Sequence, residues 1–132
     1  MSGERLLIVD DSPTVCSTVQ HQLGNVGYVV DRATSFLELA TYLLDHDPHL
    51  ILLDLRMPGQ SGYACAQFIR WNERCTAPIL IYSGCDETEL VEAKETTGAC
   101  GYVRKGQAPE ILTRAVQEAL SAQSRSLSGG LA

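Results

Sequence analysis

The sequence predicts a single α/β domain, a five-stranded parallel sheet sandwiched by helices, and three observations predict it. Two apolar runs, Leu6-Leu7-Ile8-Val9 and Leu50-Ile51-Leu52-Leu53, are continuous rather than alternating, which is the pattern of strands covered on both faces. Segments with helical apolar spacing separate these runs from three further strand candidates, so that strand and helix alternate five times. Parallel neighbours can be joined only by long connections, and right-handed βα crossovers supply them.

The elements follow in order. The first strand runs into Asp10; Ser12 is an N-cap, Pro13 takes the first helical position, Val15, Val19 and Leu23 form the apolar stripe, and Gly24 and Gly27 stop the helix. Tyr28-Val29-Val30 is the second strand, and Phe36, Leu39, Ala40, Leu43 and Leu44 mark the second helix. Asp47-Pro48 leads into the third strand, which ends at Asp54, and Ala64, Phe68 and Ile69 mark the helix after it. Ala77-Pro78 precedes Ile79-Leu80-Ile81-Tyr82; a helix with Leu90, Val91, Ala93 and Lys94 follows, closed by Gly98. Cys100-Gly101-Tyr102-Val103 is the last strand, and Ala108-Pro109 opens a helix carrying Ile111, Leu112, Ala115, Val116 and Ala119. Residues 1–122 are read as the domain. Residues 123–132 are small, polar and rich in serine and glycine, a composition expected to give a flexible tail or the start of a linker.

Bulk properties narrow the class. The chain has 132 residues, enough for one core without staples, and 45% apolar with 20% charged residues is ordinary for a soluble globular protein. No stretch approaches a membrane span, and residues 6–9 are too few for a signal-peptide core, so the chain reads as cytoplasmic. The net charge of -6 argues against direct nucleic-acid binding by this domain. Five scattered cysteines without a C-x-x-C pair read as reduced thiols; Cys16, Cys65 and Cys100 are expected in the core, while Cys85 falls on a loop. His21, His46 and His49 have no metal spacing and read as surface residues, and Trp71, at the end of the third helix beside Arg70, Asn72 and Glu73, is expected to be partly exposed while packing on the protein's own surface.

In an open parallel sheet, ligands bind beyond the carboxyl ends of the strands, where strand order reverses. The sequence delivers Asp10 and Asp11 there from the first strand, Asp54 from the third, Ser83 from the fourth and Lys105 from the fifth. Ionised carboxylates about 5 Å apart repel by about 3 kcal/mol per pair at an effective dielectric near 20, so positive charge has to join them. A hard divalent cation suits the oxygens, magnesium is the usual one, and Lys105 adds a fixed charge. The set suits phosphoryl transfer to a carboxylate nucleophile. Asp54, alone at the end of a central strand, is the candidate acceptor; Asp10 and Asp11 are the candidate metal holders. Ser83 and Lys105 can bind phosphoryl oxygens.

Four segments carry a resemblance: Leu-Leu-Ile-Val-Asp10-Asp11-Ser, Leu-Ile-Leu-Leu-Asp54-Leu-Arg-Met-Pro-Gly, Ile-Leu-Ile-Tyr-Ser83-Gly and Gly-Ala-Cys-Gly-Tyr102-Val-Arg-Lys105. Together, in this order and spacing, they resemble the receiver domains of bacterial two-component response regulators, over about residues 6–120. The resemblance implies a flavodoxin-like doubly wound (βα)5 fold with strand order 2-1-3-4-5. It implies a phosphoprotein rather than an enzyme with an external substrate, one that takes part only in its own phosphorylation and dephosphorylation. Asp54 would receive phosphate from a sensor histidine kinase or phosphotransfer protein. Magnesium would be held by Asp10 or Asp11, Asp54 and the backbone carbonyl of Arg56. Ser83 and Tyr102 would form a switch pair that alters the surface of helix four, strand five and helix five toward a downstream effector or a covalently linked output domain. A phosphorylation-dependent dimer through helices four and five is compatible with the resemblance.

Two features depart from or extend that pattern. The family carries proline after the lysine, often through a cis peptide; here Gly106 follows Lys105, and because a cis bond without proline costs about 3 kcal/mol, a trans, looser loop is expected. Arg56 and Cys85, each two residues beyond a site residue, flank the path of an attacking water and are candidate tuners of phosphate lifetime. The alternative function is a receiver-like interaction module that signals without phosphate. A phosphatase would want a further acid where Arg56 stands, and a flavin carrier would want a phosphate loop where Asp10-Asp11-Ser-Pro places negative charge.

Overall fold

The computed structural model describes residues 3–59 and 61–131, with side chains described up to residue 123. Ten elements alternate: β1 (Arg5–Val9), α1 (Pro13–Gly24), β2 (Val29–Ala33), α2 (Phe36–Asp45), β3 (Leu50–Leu53), α3 (Gly62–Trp71), β4 (Ile79–Ser83), α4 (Glu87–Thr97), β5 (Gly101–Arg104) and α5 (Pro109–Leu131). All strands are parallel in the order β2-β1-β3-β4-β5.

Alternation along the strands splits the core into two layers, because successive side chains leave opposite faces of a sheet. Leu7, Val9, Ile51, Leu53, Ile79 and Ile81 pack with Leu39 and Leu43 of α2, Cys65 and Ile69 of α3, and Leu90 and Ala93 of α4. Leu6, Ile8, Leu50, Leu52, Leu80 and Val103 pack with Cys16, Val19 and Leu23 of α1 and Leu112 and Val116 of α5. Both runs that read as doubly covered are completely buried. Each such Leu or Ile contributes about 1.5–3 kcal/mol by leaving water.

Helix starts follow the capping signals. Ser12 Oγ accepts from Val15 N (3.2 Å), Ser35 Oγ from Glu38 N (3.1 Å), Ser61 Oγ from Ala64 N (3.3 Å) and Asp86 Oδ1 from Glu89 N (2.9 Å). Glu38 Oε1 also accepts from Thr34 N (2.7 Å) and Thr34 Oγ1 (2.9 Å), tying the residue before the cap to the first turn of α2.

Several expectations are corrected. β2 runs Val29–Ala33, past the Tyr28–Val30 window. Its charged residues hid it, and an edge strand gives them partners: Asp31 meets Arg5 and Tyr42, and Arg32 reaches Ser17. Cys100 is exposed rather than in the core, since it precedes β5; Cys16 and Cys65 are buried as expected, and burial pushes each thiol up to about 11. Trp71, at the last position of α3, is 72% exposed instead of packed down. The backbone helix of α5 spans Pro109–Leu131. Cys85 is buried and the three histidines are exposed. No described helix is long and apolar enough to cross a membrane.

Candidate functional site

Strand order reverses between β1 and β3, and the carboxyl ends of these strands form the crevice that the fold offers to a ligand. Parallel register sets Val9 beside Leu53. The ladder extends one step further, with Asp54 N donating to Val9 O (3.0 Å), so Asp10 and Asp54 emerge side by side. Carboxylate oxygens of Asp10, Asp11 and Asp54 lie within 4.8 Å of one another. Asp10 and Asp54 are buried, while Asp11 is exposed and opens the cluster to solvent.

Each buried carboxylate has donors. Asp10 Oδ1 accepts from Ser12 N (3.0 Å), and Asp10 Oδ2 accepts from Lys105 Nζ (2.5 Å). Asp54 Oδ1 accepts from Ser83 Oγ (2.8 Å) and, at 3.4 Å, from Arg56 N. Lys105 Nζ stands 3.5 Å from Asp54 Oδ2, so one ammonium bridges the two strand ends. Burial holds the Asp10 carboxyl above its ordinary range despite the hydrogen bonds from Lys105 and Ser12. Burial alone would lower Lys105, but the bond to Asp10 and the charges of both carboxylates outweigh it and raise the ammonium.

The lysine loop differs from expectation in one respect. Its peptides are trans, as do all those among the described residues, yet the loop is pinned: Lys105 N donates to Ser83 O (2.9 Å) while Nζ reaches Asp10. Gly106 has φ of +91°, a value that proline, locked near -65°, cannot adopt. Glycine here therefore serves a different turn that still delivers the lysine.

Arg56 and Cys85 also come together. Arg56 Nε donates to Cys85 Sγ (3.2 Å), the sulfur lies 3.3 Å from Ser83 Oγ, and Arg56 Nη2 donates to Glu89 Oε1 (2.5 Å). Tyr102 makes its contact elsewhere, its half-buried ring sending the hydroxyl to Glu87 at the start of α4.

Three residues of this neighbourhood carried no clear mark in the sequence. Glu87 and Glu89 lie in the first turn of α4, behind the Asp86 cap. Gly62 follows Ser61, the cap of α3. It is buried with its N–H donating to Leu55 O (3.0 Å), and a Cβ there would lie 2.2 Å from the Asp54 carbonyl oxygen. Nothing larger than glycine lets α3 start this close to β3.

The oxygen donors fit a hard divalent cation: one atom from each of three carboxylates, converging at one solvent-facing rim. Chemically, the arrangement holds a carboxylate between a hydroxyl donor and an ammonium, at a place where negative charge must be neutralised.

Known proteins are similar to this chain in sequence and in fold. The transcriptional activator protein ExaE of Pseudomonas putida is 30% identical over 118 residues, 88% of this chain and 55% of that protein. The nitrate/nitrite response regulator protein NarL of Escherichia coli K12 is 32% identical over 123 residues, 89% of this chain and 55% of NarL. The chain thus spans about half the length of the curated relatives it matches. Among solved structures, the chemotaxis response regulator CheY4 of Vibrio cholerae superposes with a TM-score of 0.82 at 26% identity, covering 89% of this chain and 99% of that one. The response regulator protein TrrA of Thermotoga maritima, solved in complex with Mg(2+)-BeF, gives 0.77 at 26% identity and the same coverage. The response regulator receiver domain family matches residues 6–117, from within β1 into α5, so the shared part is the whole sheet with the helices around it. The chain belongs to the response regulator receiver domain family.

Proposed function

We propose that the protein is a phosphorylation-dependent signalling switch whose phosphoacceptor is Asp54. The observation that carries this reading is the environment of that carboxylate: buried, hydrogen-bonded by Ser83, 3.5 Å from Lys105 and clustered with Asp10 and Asp11. An Asp54 oxygen attacks the phosphorus of a phosphohistidine on a sensor kinase or phosphotransfer protein; the P–N bond breaks and the imidazole leaves with a proton. Ser83 Oγ–H and Lys105 Nζ then bind phosphoryl oxygens. Asp10, Asp11, Asp54 and the Arg56 carbonyl would hold Mg2+, which when bound supplies charge neutralisation at the phosphoryl oxygens. The Mg(2+)-BeF complex of the similar TrrA supports this assignment.

The output follows from competition for Ser83. As its hydroxyl turns to the phosphoryl group, Tyr102 releases Glu87 and moves inward, changing the face formed by α4, β5 and α5. That face would control an effector protein or an output domain joined beyond α5, with residues 123–132 as the beginning of a linker. Arg56 and Cys85 would set how long the phosphoryl group survives. The protein would catalyse nothing beyond its own phosphorylation and dephosphorylation.

The test is the intact mass of wild type and Asp54→Ala after incubation with acetyl phosphate and Mg2+. A single phosphoryl adduct on the wild type, absent from the variant and without Mg2+, is expected. A wild type that never acquires the adduct would replace this reading with a phosphate-independent interaction module.

A further inference from the structure

If Asp54 is the phosphoacceptor, a hydrogen-bonded chain leads from it to α4. Ser83 Oγ donates to Asp54 Oδ1 (2.8 Å), and Cys85 Sγ lies 3.3 Å from the same hydroxyl. With the hydroxyl proton committed to Asp54, the thiol is the donor in the second contact. Arg56 Nε donates to that sulfur at 3.2 Å, and Arg56 Nη2 donates to Glu89 Oε1 at 2.5 Å. Ser83 and Cys85 are buried, whereas the Arg56 side chain is 70% exposed. The guanidinium is therefore the member of the chain with room to swing, and its backbone is rooted two residues from Asp54, to whose Oδ1 it already offers an N–H. Among the described residues, Glu89 is the one carboxylate bonded to it.

A phosphoryl group on Asp54 would change that balance. The acyl phosphate carries nearly two negative charges where the free carboxylate carried one, and it offers three acceptor oxygens, so a planar guanidinium fork binds it more strongly than it binds the single Glu89 carboxylate. The geometry points to Glu89 as a positioning residue that competes with the phosphoryl group for Arg56. In the unphosphorylated protein Glu89 holds the guanidinium against Cys85. On phosphorylation Arg56 crosses to the phosphoryl oxygens and Glu89 is freed in the first turn of α4. The coupling is reciprocal: a partner that engages Glu89 on α4 also favours the phosphorylated state. This route to α4 runs through charge and is separate from the Ser83 and Tyr102 exchange.

Beryllium fluoride with Mg2+ serves as the phosphoryl stand-in, titrated into the full chain and followed by amide NMR, whose spectra also report that each variant is folded. Wild type, Glu89→Gln, Arg56→Ala and the double variant form the cycle. An ion pair this exposed alters an equilibrium by at most about fivefold, so Glu89→Gln is expected to tighten binding by about two- to fivefold. In the Arg56→Ala background the same change is expected to do nothing. An equal gain in both backgrounds would mean that Glu89 acts only as a distant charge, and no gain at all would mean that it holds nothing back; either overturns the proposal. A wild type that shows no saturable binding overturns the Asp54 reading itself, and this inference with it.

Discussion

Gly62→Ala adds one methyl group where the structure has no room. The new Cβ would lie 2.2 Å from Asp54 O, 2.6 Å from Leu55 Cα and 2.9 Å from Asp54 C. All three atoms are backbone, so no rotamer change relieves the clash, and α3 and the β3 end must part by most of an ångström. Two effects oppose each other. Alanine gains at most about 1 kcal/mol over glycine in a helix, and less at its first position. Overpacking a rigid contact costs about 1–3 kcal/mol, and the absence of any yielding side chain puts this site at the upper end. The balance is a net loss of about 2 kcal/mol, which for a domain this size lowers Tm by about 6–10 °C. Urea and thermal unfolding of wild type and variant measure it. Because the strained atom is Asp54's own carbonyl, the yield of phosphoryl adduct from acetyl phosphate is also expected to fall. A variant within about 0.5 kcal/mol of wild type with full adduct yield would refute the claim that this close approach sets the site.

Three further outcomes follow from the same contacts. Ile51→Ala empties a fully buried position in the central strand and is expected to cost about 2–5 kcal/mol by urea unfolding; a loss under 1 kcal/mol would contradict the assigned layer. Asp10→Asn removes a buried charge that burial disfavours and neighbouring carboxylates repel, so in metal-free buffer it is expected to raise stability by about 1 kcal/mol, and a less stable variant would count against the strained acidic cluster. Burial alone would raise Asp31, but hydrogen bonds from Tyr42 (2.7 Å) and Arg5 (2.6 Å) hold its carboxyl below the ordinary range. A depressed carboxylate stabilises the fold above its unfolded pKa of about 3.9 and loses that contribution as pH falls through its folded value. With Arg5 41% exposed, Asp31→Asn should cost about 1 kcal/mol or less at pH 7, and the gap to wild type should narrow as pH falls through the folded value of the carboxyl; a gap independent of pH would assign the loss to something other than the charge.

Most of the sheet was legible because its strands bury both faces. Residues 6–9 and 50–53 are apolar at every position, and that leaves no other reading once aspartate and turn residues bound them. β2 was only half visible, since an edge strand tolerates Asp31 and Arg32, which resemble loop residues until their partners on β1, α1 and α2 are known. The acidic cluster was legible for a topological reason: in a parallel sheet, residues that follow different strands must meet at one edge. Geometry between distant loops was not. The Arg56, Cys85 and Glu89 contacts join three segments whose local sequences demand nothing of one another, and the need for glycine at position 62 depends on how closely α3 crosses β3. Lys105 came through a loop that lacks the expected proline because its position is fixed by the Ser83 backbone and by Asp10, not by the next residue.

The central claim is that Asp54, among three clustered carboxylates, is the one that takes the phosphoryl group. Borohydride reduces an acyl phosphate at aspartate to homoserine, so treating the phosphorylated protein and sequencing its peptides by mass spectrometry marks the acceptor directly. Homoserine at position 54 alone is the predicted result; homoserine at Asp10 or Asp11, with Asp54 unmodified, would contradict the account.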